Sequence, residues 1–222
     1  MRISVNVAMS IDGKIASSLR EQLVISGPSD FDRVDSLRAE CDAIMVGVGT
    51  VLADDPKLLV HNDELSSRRQ ESGMSAHPAR IIIDSNGRTP DDAQVLGEGA
   101  RTFIVLSENV KKERVTELEN SGATIIISGE DRVDIENAMG SFEDFGIENI
   151  LVEGGGELIF TLVQKELIEE LTAYISPMII GGKDAPTLVD GEGFVDNFPR
   201  FSLVEVKRLD EGVMLRLKKE NK

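Results

Sequence analysis

Residues 43–52 read Ala43–Ile44–Met45–Val46–Gly47–Val48–Gly49–Thr50–Val51–Leu52, an apolar strand that passes through two glycines into a helix-like turn. In α/β proteins such turns bind phosphates, because glycines let the backbone approach an anion and helix amides supply donors. The third glycine of the dinucleotide fingerprint is missing, so the turn by itself fits either a phosphate site or a tight connection. Thr50 offers a hydroxyl at the start of the helix. Asp54 or Asp55 could accept from ribose hydroxyls, and acids that precede Pro56 suit the capping of a turn equally well.

Short β-branched runs recur on both sides of this segment, with helical patterns between them. The predicted strands are Ile3–Ala8, Ala43–Val46, Arg80–Asp84, Thr102–Leu106, Thr124–Ile127, Asn149–Val152, Glu170–Ile175, Phe201–Arg208 and Val213–Lys218. The predicted helices are Asp30–Glu40, Lys111–Ser121, Ile135–Phe145 and Glu157–Lys165. This alternation predicts an α/β fold with a mainly parallel central sheet flanked by helices. Residues 209–212 suit a hairpin turn, so we expect an antiparallel C-terminal edge.

The stretch His61–Pro78 is the least organised part of the chain. It is rich in Ser, Arg, Glu and Gly and lacks apolar periodicity, so we predict a surface excursion and not a linker between two cores. A chain of 222 residues suits one large α/β domain or two small ones. Residues 1–222 are therefore predicted to form a single domain.

Composition argues against several classes of protein. Lys and Arg number 24 against 40 Asp and Glu, a net charge of −16 with no basic stripe, so we expect no nucleic-acid partner. The single Cys41 excludes an intramolecular disulfide and paired-cysteine zinc sites, and we expect no metal. No leader and no run of about 18 apolar residues is visible, so a cytoplasmic location without a membrane partner is expected. The motifs of covalent hydrolases and of P-loop enzymes are absent.

A second glycine cluster occupies Leu151–Leu158, where Gly154, Gly155 and Gly156 follow a strand and open a helix. Glycine loses more chain entropy on folding than other residues, so three in a row imply positive φ angles or a ligand close to the backbone. In open α/β sheets, ligands bind at the carboxyl ends of strands, where both glycine turns are expected. The second cluster therefore favours a phosphate or pyrophosphate site.

The segment from Asp84 to Arg88 comes at the end of another predicted strand, where the second ribose of a dinucleotide is often bound. An aspartate there favours a free 2′-hydroxyl, whereas Ser85 with Arg88 favours a 2′-phosphate. A simple Asx turn explains Asp84 equally well. These residues alone leave the choice open.

Eight segments together resemble a known family. They are Met9–Ala16, Leu37–Ala39, Val46–Pro56, Ile83–Ser85, Val152–Gly156, Ile175–Pro177, Gly181–Lys183 and Asp190–Phe194. In this order they resemble the pyrimidine reductases of riboflavin biosynthesis, above all the stand-alone archaeal type, along essentially the whole chain. The resemblance implies a dihydrofolate-reductase-like fold, a homodimer, and NADPH as cofactor with NADH less efficient. It also implies hydride transfer to C1′ of 2,5-diamino-6-ribosylamino-4(3H)-pyrimidinone 5′-phosphate, opened to its imine, which gives the ribitylamino product.

The resemblance also implies roles for individual positions. Cofactor contacts are implied for Ala8, Thr50, Asp54, Asp84, Ser85, Gly154, Gly155, Gly156 and Glu157, and substrate contacts for Arg38, Leu58, His61 and Glu153. The cofactor carries the hydride, so orientation is expected to dominate catalysis, with Glu153 as the one candidate catalytic group. Arg38 has an alternative role in a surface ion pair with Asp35 or Asp42.

Two other functions remain open at this stage. One is a dihydrofolate-reductase-like enzyme that reduces another imine or a pterin, and the other is a non-catalytic nucleotide-binding module. The presence of Arg38 and Glu153 beside intact glycine turns counts against the module. NADPH oxidation measured with the ribosylamine and with dihydrofolate distinguishes the three.

Overall fold

A computed structural model describes residues 1–20 and 23–220. Among these residues the strands are β1 Arg2–Ser10, β2 Ala43–Gly47, β3 Ala79–Ile83, β4 Thr102–Leu106, β5 Ala123–Ile127, β6 Asn149–Val152, β7 Glu170–Ser176, β8 Phe201–Leu209 and β9 Gly212–Lys219. The α-helices are α1 Pro28–Glu40, α2 Val48–Asp54, α3 Asp63–Glu71, α4 Lys112–Asn120, α5 Ile135–Glu143 and α6 Gly156–Gln164. None of these helices is long and apolar enough to cross a membrane.

The chain divides into two compact units, one made of Met1 and residues 35–151 and the other of residues 2–34 and the chain from 152 onward. In the first unit the strand order is β5-β4-β3-β2-β6, and β2 to β5 pair in parallel. Residues Ile44, Ile82 and Ile104 on neighbouring strands are completely buried. Near-continuous apolar strands of this kind are typical of a parallel sheet covered on both faces. The single domain predicted for 1–222 stays a prediction.

The second unit contains the antiparallel edge. Its strand order is β1-β7-β9-β8, in which β1 and β7 are parallel whereas β9 is antiparallel to both β7 and β8. Leu209 pairs with Gly212 at the tip of the β8–β9 hairpin. Helix α6 buries Leu158, Ile159 and Leu162. The mainly parallel α/β fold with an antiparallel C-terminal edge is thus confirmed.

The nine predicted strands and four predicted helices are present, with ends that differ by at most two residues. The helix-like turn after the first glycines is helix α2. Residues 61–78 are mostly exposed, as predicted for a surface excursion, but helix α3 at Asp63–Glu71, with its buried Arg69, was missed. Polar contacts stabilise this helix where apolar periodicity is missing. The Asn62 side chain accepts from the amides of Glu64 and Leu65, and Arg69 donates to buried carbonyls.

Candidate active site

The turn between β2 and α2 leaves open space beside its backbone. Gly47, the N-cap of α2, has φ −75° and ψ 151°, which any residue can adopt, and no side chain caps the helix. A β-carbon built on Gly49 would meet nothing within 4 Å. The chain conformation therefore does not require these glycines, and Gly49 leaves room for a group to approach the backbone.

Two polar side chains of α2 are left without partners in the described part of the chain. The half-buried Thr50 hydroxyl makes no hydrogen bond there. Burial raises the pKa of the half-buried Asp54 carboxyl, and no charge or hydrogen bond opposes that effect. The neighbouring Asp55 is different, because its Oδ1 accepts the Gln94 amide at 2.7 Å. Of the two adjacent acids, Asp55 is structural and Asp54 is available to a ligand.

The predicted substrate-binding residues of the first unit lie around the segment 58–62. Leu58 is buried in the apolar core and has φ 51°, so mainly its backbone is open to other contacts. Arg38 Nη1 donates to the Leu59 carbonyl at 2.9 Å. The His61 side chain is exposed, with Nδ1 3.4 Å from Asp35 Oδ1. Contacts with this segment bring Arg38 and His61 to one side of α1.

At the end of β3, the side chains of Asp84 and Ser85 stabilise loops. Asp84 is completely buried, and its Oδ2 accepts the amide and hydroxyl of Thr89 at 2.7 and 2.8 Å. Its Oδ1 has no hydrogen bond, and Arg88 Nε lies 4.0 Å away. The Ser85 hydroxyl accepts the Val133 amide at 3.0 Å. The observed contacts of Asp84 are those of a turn-forming residue, and its contact with a ribose stays a prediction.

A cleft of about 290 Å³ lies beside this loop and was missed by the sequence analysis. Arg114 lines it and donates to the Gly87 carbonyl at 2.8 Å while pairing with Asp91 and Glu117. The hydrogen bond to Glu117, followed by that to Asp91, raises the pKa of Arg114. Arg114 therefore supports the loop. The other lining residues are Asn86, Asn109, Val110 and Lys111.

The second unit carries the triple glycine. Gly155 has φ 94°, which confirms the positive φ expected in this cluster. Gly156 is required for a different reason, because its β-carbon would lie 2.7 Å from the Thr187 carbonyl oxygen and against the Asp190 carboxylate. The chain itself therefore leaves no room for a side chain at this position. Glu153 directly follows β6 and is half-buried, and Glu157 is exposed in the first turn of α6.

The remaining predicted site residue of this unit, Ala8, is half-buried on β1 and pairs with Tyr174 on β7. Another polar cluster of the unit joins the loop after β1 to residues 180 and 181. Asp12 Oδ1 accepts from the Ser10 hydroxyl at 2.6 Å and the Ile180 amide at 3.1 Å, and Oδ2 accepts the Gly181 amide at 2.7 Å. The Ser10 hydrogen bond, followed by that from Ile180, lowers the pKa of Asp12 to about 2. In the described ranges, no three His, Cys, Asp or Glu side chains form a group that could hold a metal ion.

Comparison with known proteins places this chain among the reductases of the riboflavin pathway. The model of the family described as the RibD C-terminal domain matches residues 2–215, and the chain belongs to this family. The 2,5-diamino-6-ribosylamino-4(3H)-pyrimidinone 5′-phosphate reductase of Archaeoglobus fulgidus is 42% identical over 210 residues, which cover 95% of this chain and 94% of the relative. The enzyme of the same name from Methanothermobacter thermautotrophicus is 42% identical over 206 residues, or 93% and 91% of the two chains.

A solved structure agrees with the sequence relatives. RibD of Acinetobacter baumannii superimposes with a TM-score of 0.78 and 26% identity, over 99% of this chain and 58% of the RibD chain. The present chain thus spans a little over half of that protein. The resemblance to the pyrimidine reductases is confirmed.

Proposed function

We propose that the chain reduces the ribosylamino group of 2,5-diamino-6-ribosylamino-4(3H)-pyrimidinone 5′-phosphate to the ribitylamino group, with NADPH as reductant. Two archaeal relatives named for this reductase, each 42% identical, support the substrate. The structural observation that carries the proposal is on α2, where Thr50 and Asp54 have no partner in the described chain and Gly49 leaves open space.

The residues present fit a nicotinamide dinucleotide. The Thr50 hydroxyl can donate or accept, and Asp54 can accept from ribose hydroxyls or the carboxamide. In the second unit, Gly155 is the N-cap of the nine-residue helix α6 and no side chain caps it, so main-chain amides there remain available to phosphate oxygens. The Glu157 carboxylate in the same turn already interacts favourably with the helix dipole. A bound phosphate therefore gains less binding free energy from that dipole. The cofactor roles of Ala8, Asp84, Ser85 and Gly154 are part of the same proposal.

NADPH, when bound, supplies the hydride that C1′ of the ring-opened ribosylamine accepts. The protein then has to orient the two reactants. It aligns the carbon that donates the hydride with the carbon that accepts it, which would otherwise meet in this geometry only rarely in solution. Glu153 accepts hydrogen bonds from the amino groups of the diaminopyrimidine, and Arg38 and His61 contact the ribosyl phosphate. Leu58 contributes backbone contacts.

The decisive experiment measures NADPH oxidation with the ribosylamine and with dihydrofolate. We expect turnover with the ribosylamine alone. Turnover with dihydrofolate would favour a pterin reductase, and NADPH binding without either turnover would favour a non-catalytic module. Thr50→Val should weaken NADPH binding, whereas Thr116→Val, which removes an exposed hydroxyl on α4, should not. Unchanged affinity in a folded Thr50→Val variant would exclude the assignment.

We also propose a homodimer formed through the β8–β9 hairpin. Leu203 pairs with Leu217 and Val206 with Leu215, so these four side chains share one face. Leu203 and Val206 are 58% and 59% exposed. Across β8 and β9 five basic residues outnumber the one acidic residue, Glu205, so these strands carry none of the acid excess that makes two chains of charge −16 repel each other. Light scattering of wild type, Leu203→Asp and the exposed control Val195→Asp tests the interface, with only Leu203→Asp expected to be monomeric. A cytoplasmic location stays a prediction.

A further inference from the structure

The buried carboxylate of Asp35, on α1, binds two consecutive main-chain amides of a distant segment. Asp35 is 7% exposed, and its Oδ1 accepts the His61 amide at 2.8 Å while its Oδ2 accepts the Asn62 amide at 2.6 Å. The His61 ring also faces it, with Nδ1 3.4 Å from Oδ1. Hydrogen bonds to an ionised acceptor are short and strong, so this pair fixes the orientation of the peptide between the two residues.

The residues on both sides of His61 are also fixed. Arg38, three residues along the same helix, donates to the Leu59 carbonyl at 2.9 Å. The Asn62 side chain then begins α3 by accepting the amides of Glu64 and Leu65. The segment from Leu59 to Asn62 therefore has a single geometry relative to α1, although the His61 side chain is itself exposed.

The contacts explain why this position holds a carboxylate. The two amide N–H groups point to different oxygens of the Asp35 carboxylate, and each oxygen accepts one of them. An asparagine of the same size has only one oxygen, so its NH₂ would face the second amide and lose that bond. Asp35→Asn therefore weakens the contact that holds the segment from Leu59 to Asn62, with little change in the volume of the side chain.

We propose that Asp35 is a positioning residue for substrate binding, which holds His61 in place for the ribosyl phosphate without touching the substrate itself. The inference rests on the proposed function, in which His61 contacts that phosphate. A displacement of about 1 Å is enough to reduce catalysis strongly, so the loss of one of the two amide bonds is expected to appear in substrate binding.

Asp42→Asn is a matched control. Asp42 is a half-buried aspartate of the same unit whose Oδ2 accepts the consecutive amides of Glu148 and Asn149 at 3.0 and 2.8 Å. Its replacement by asparagine removes the charge from this main-chain anchor, far along the chain from residues 58–62, but leaves one oxygen for the two amides. Thermal denaturation of both variants measures the stability that each loses, and a change of substrate binding in Asp35→Asn alone reports the position of Asp35.

The experiment measures kcat, KM for the ribosylamine phosphate, the Kd of the reaction product and the Kd of NADPH. For Asp35→Asn we expect KM and product Kd to rise about tenfold or more, with the Kd of NADPH unchanged. Asp42→Asn should keep all four values. In the His61→Ala background, Asp35→Asn should add almost nothing, because a residue that acts through His61 has no further effect once that side chain is gone.

Three results would overturn the proposal: a wild-type KM in folded Asp35→Asn, an equal rise in Asp42→Asn, or full additivity with His61→Ala. If Asp35→Asn does not fold, Asp35→Glu keeps both oxygens on a longer stem and is expected to raise KM and product Kd by a smaller factor. An unchanged KM in Asp35→Glu would then contradict the proposal. Absence of NADPH oxidation by the wild-type chain would instead contradict the proposed function itself.

Discussion

Arg69 Nη1 donates a hydrogen bond to the carbonyl oxygen of Cys41 at 2.7 Å and thereby connects α3 to the chain that follows α1. The same nitrogen donates to the Ala39 carbonyl at 2.8 Å, and Nε donates to the Ser75 carbonyl at 3.0 Å. Arg69 is 4% exposed, and burial lowers the pKa of its guanidinium while the nearby Cys41 and Asp42 oppose that effect. One buried side chain thus satisfies carbonyl oxygens at the end of α1, just after it, and within residues 61–78.

Replacement of Arg69 should destabilise the first unit. Arg69→Met keeps much of the apolar stem but leaves buried carbonyl oxygens without donors, and we expect a loss of about 2–4 kcal/mol in the free energy of unfolding. Arg68→Met on the same helix removes an ion pair with Glu64 in which both side chains are exposed, and should cost less than about 0.5 kcal/mol. Urea denaturation of both variants provides the measurement. Equal effects would contradict a structural role for Arg69.

The contacts of Arg69 show which elements of the fold the sequence could predict and which it could not. The β-branched runs predicted all nine strands. The central parallel strands β2 and β4 are buried on both faces and are therefore apolar along their length, whereas β8 is largely exposed. Helix α3 was missed because its stability comes from Arg69 and from partners about 30 positions away, and no periodicity reports such contacts. A local signal was present, since Asn62 followed by Asp63 and Glu64 is a typical helix start.

The candidate site likewise combines features that the sequence predicted with features that only the structure shows. The glycine turn located Thr50 and Asp54, but only the structure shows that Asp55 binds Gln94 and leaves Asp54 available. Likewise, the positive φ of Gly155 follows from its residue type, whereas the need for Gly156 comes from the Thr187 carbonyl and the Asp190 carboxylate, more than 30 residues later in the chain. Roles set by long-range contacts are not encoded in a local pattern.

Gly156→Ala is expected to destabilise the second unit by at least about 1–3 kcal/mol, the usual cost of overpacking. The added methyl group would meet the Thr187 carbonyl oxygen at 2.7 Å, and a backbone atom cannot move aside as a flexible side chain can. Gly140→Ala is the control, since nothing lies within 4 Å of its β-carbon on α5. That variant should be neutral or stabilised by up to about 1 kcal/mol through helix propensity. A Gly156→Ala protein with wild-type Tm would contradict the close approach.

Asp54→Asn should raise the Tm at neutral pH or leave it unchanged while it weakens NADPH binding. Burial raises the pKa of Asp54 above the unfolded value of 3.8, so the ionised form reduces stability as pH rises through the folded-state pKa. Asparagine removes that cost but also the charged acceptor, for which we expect about a tenfold rise in Kd. Asp55→Ala should do the opposite, with a lower Tm through loss of the Gln94 bond and unchanged NADPH affinity. Calorimetry and fluorescence titration measure both quantities, and parallel behaviour of the two variants would contradict the assignment.

Asp12 should make the loop at residues 178–182 sensitive to acid. Its folded-state pKa of about 2 lies below the unfolded 3.8, so its stabilising contribution is complete above about pH 4 and is lost as pH falls through about 2. We expect the amide resonances of Ile180 and Gly181 to shift with a midpoint near this value. Asp12→Asn should be less stable than wild type at pH 7, and the difference should shrink in the same pH window. A pH-independent difference would show that the carboxylate charge plays no part.

The proposed preference for NADPH over NADH should depend on cations beside the Asp84 loop. A 2′-phosphate there would face Arg88, which is more than half exposed, and Lys111 of the neighbouring cleft. The complete burial of Asp84, with Oδ2 held by Thr89, lessens the repulsion that an exposed aspartate would exert on that phosphate. Arg88→Ala and Lys111→Ala should each lower kcat/KM for NADPH about tenfold, the value of one charge-assisted hydrogen bond, with little change for NADH. Lys112→Ala, one residue beyond the cleft lining, should leave both values unchanged. Equal losses with NADPH and NADH in either variant would indicate that the side chain supports the fold and does not contact the phosphate.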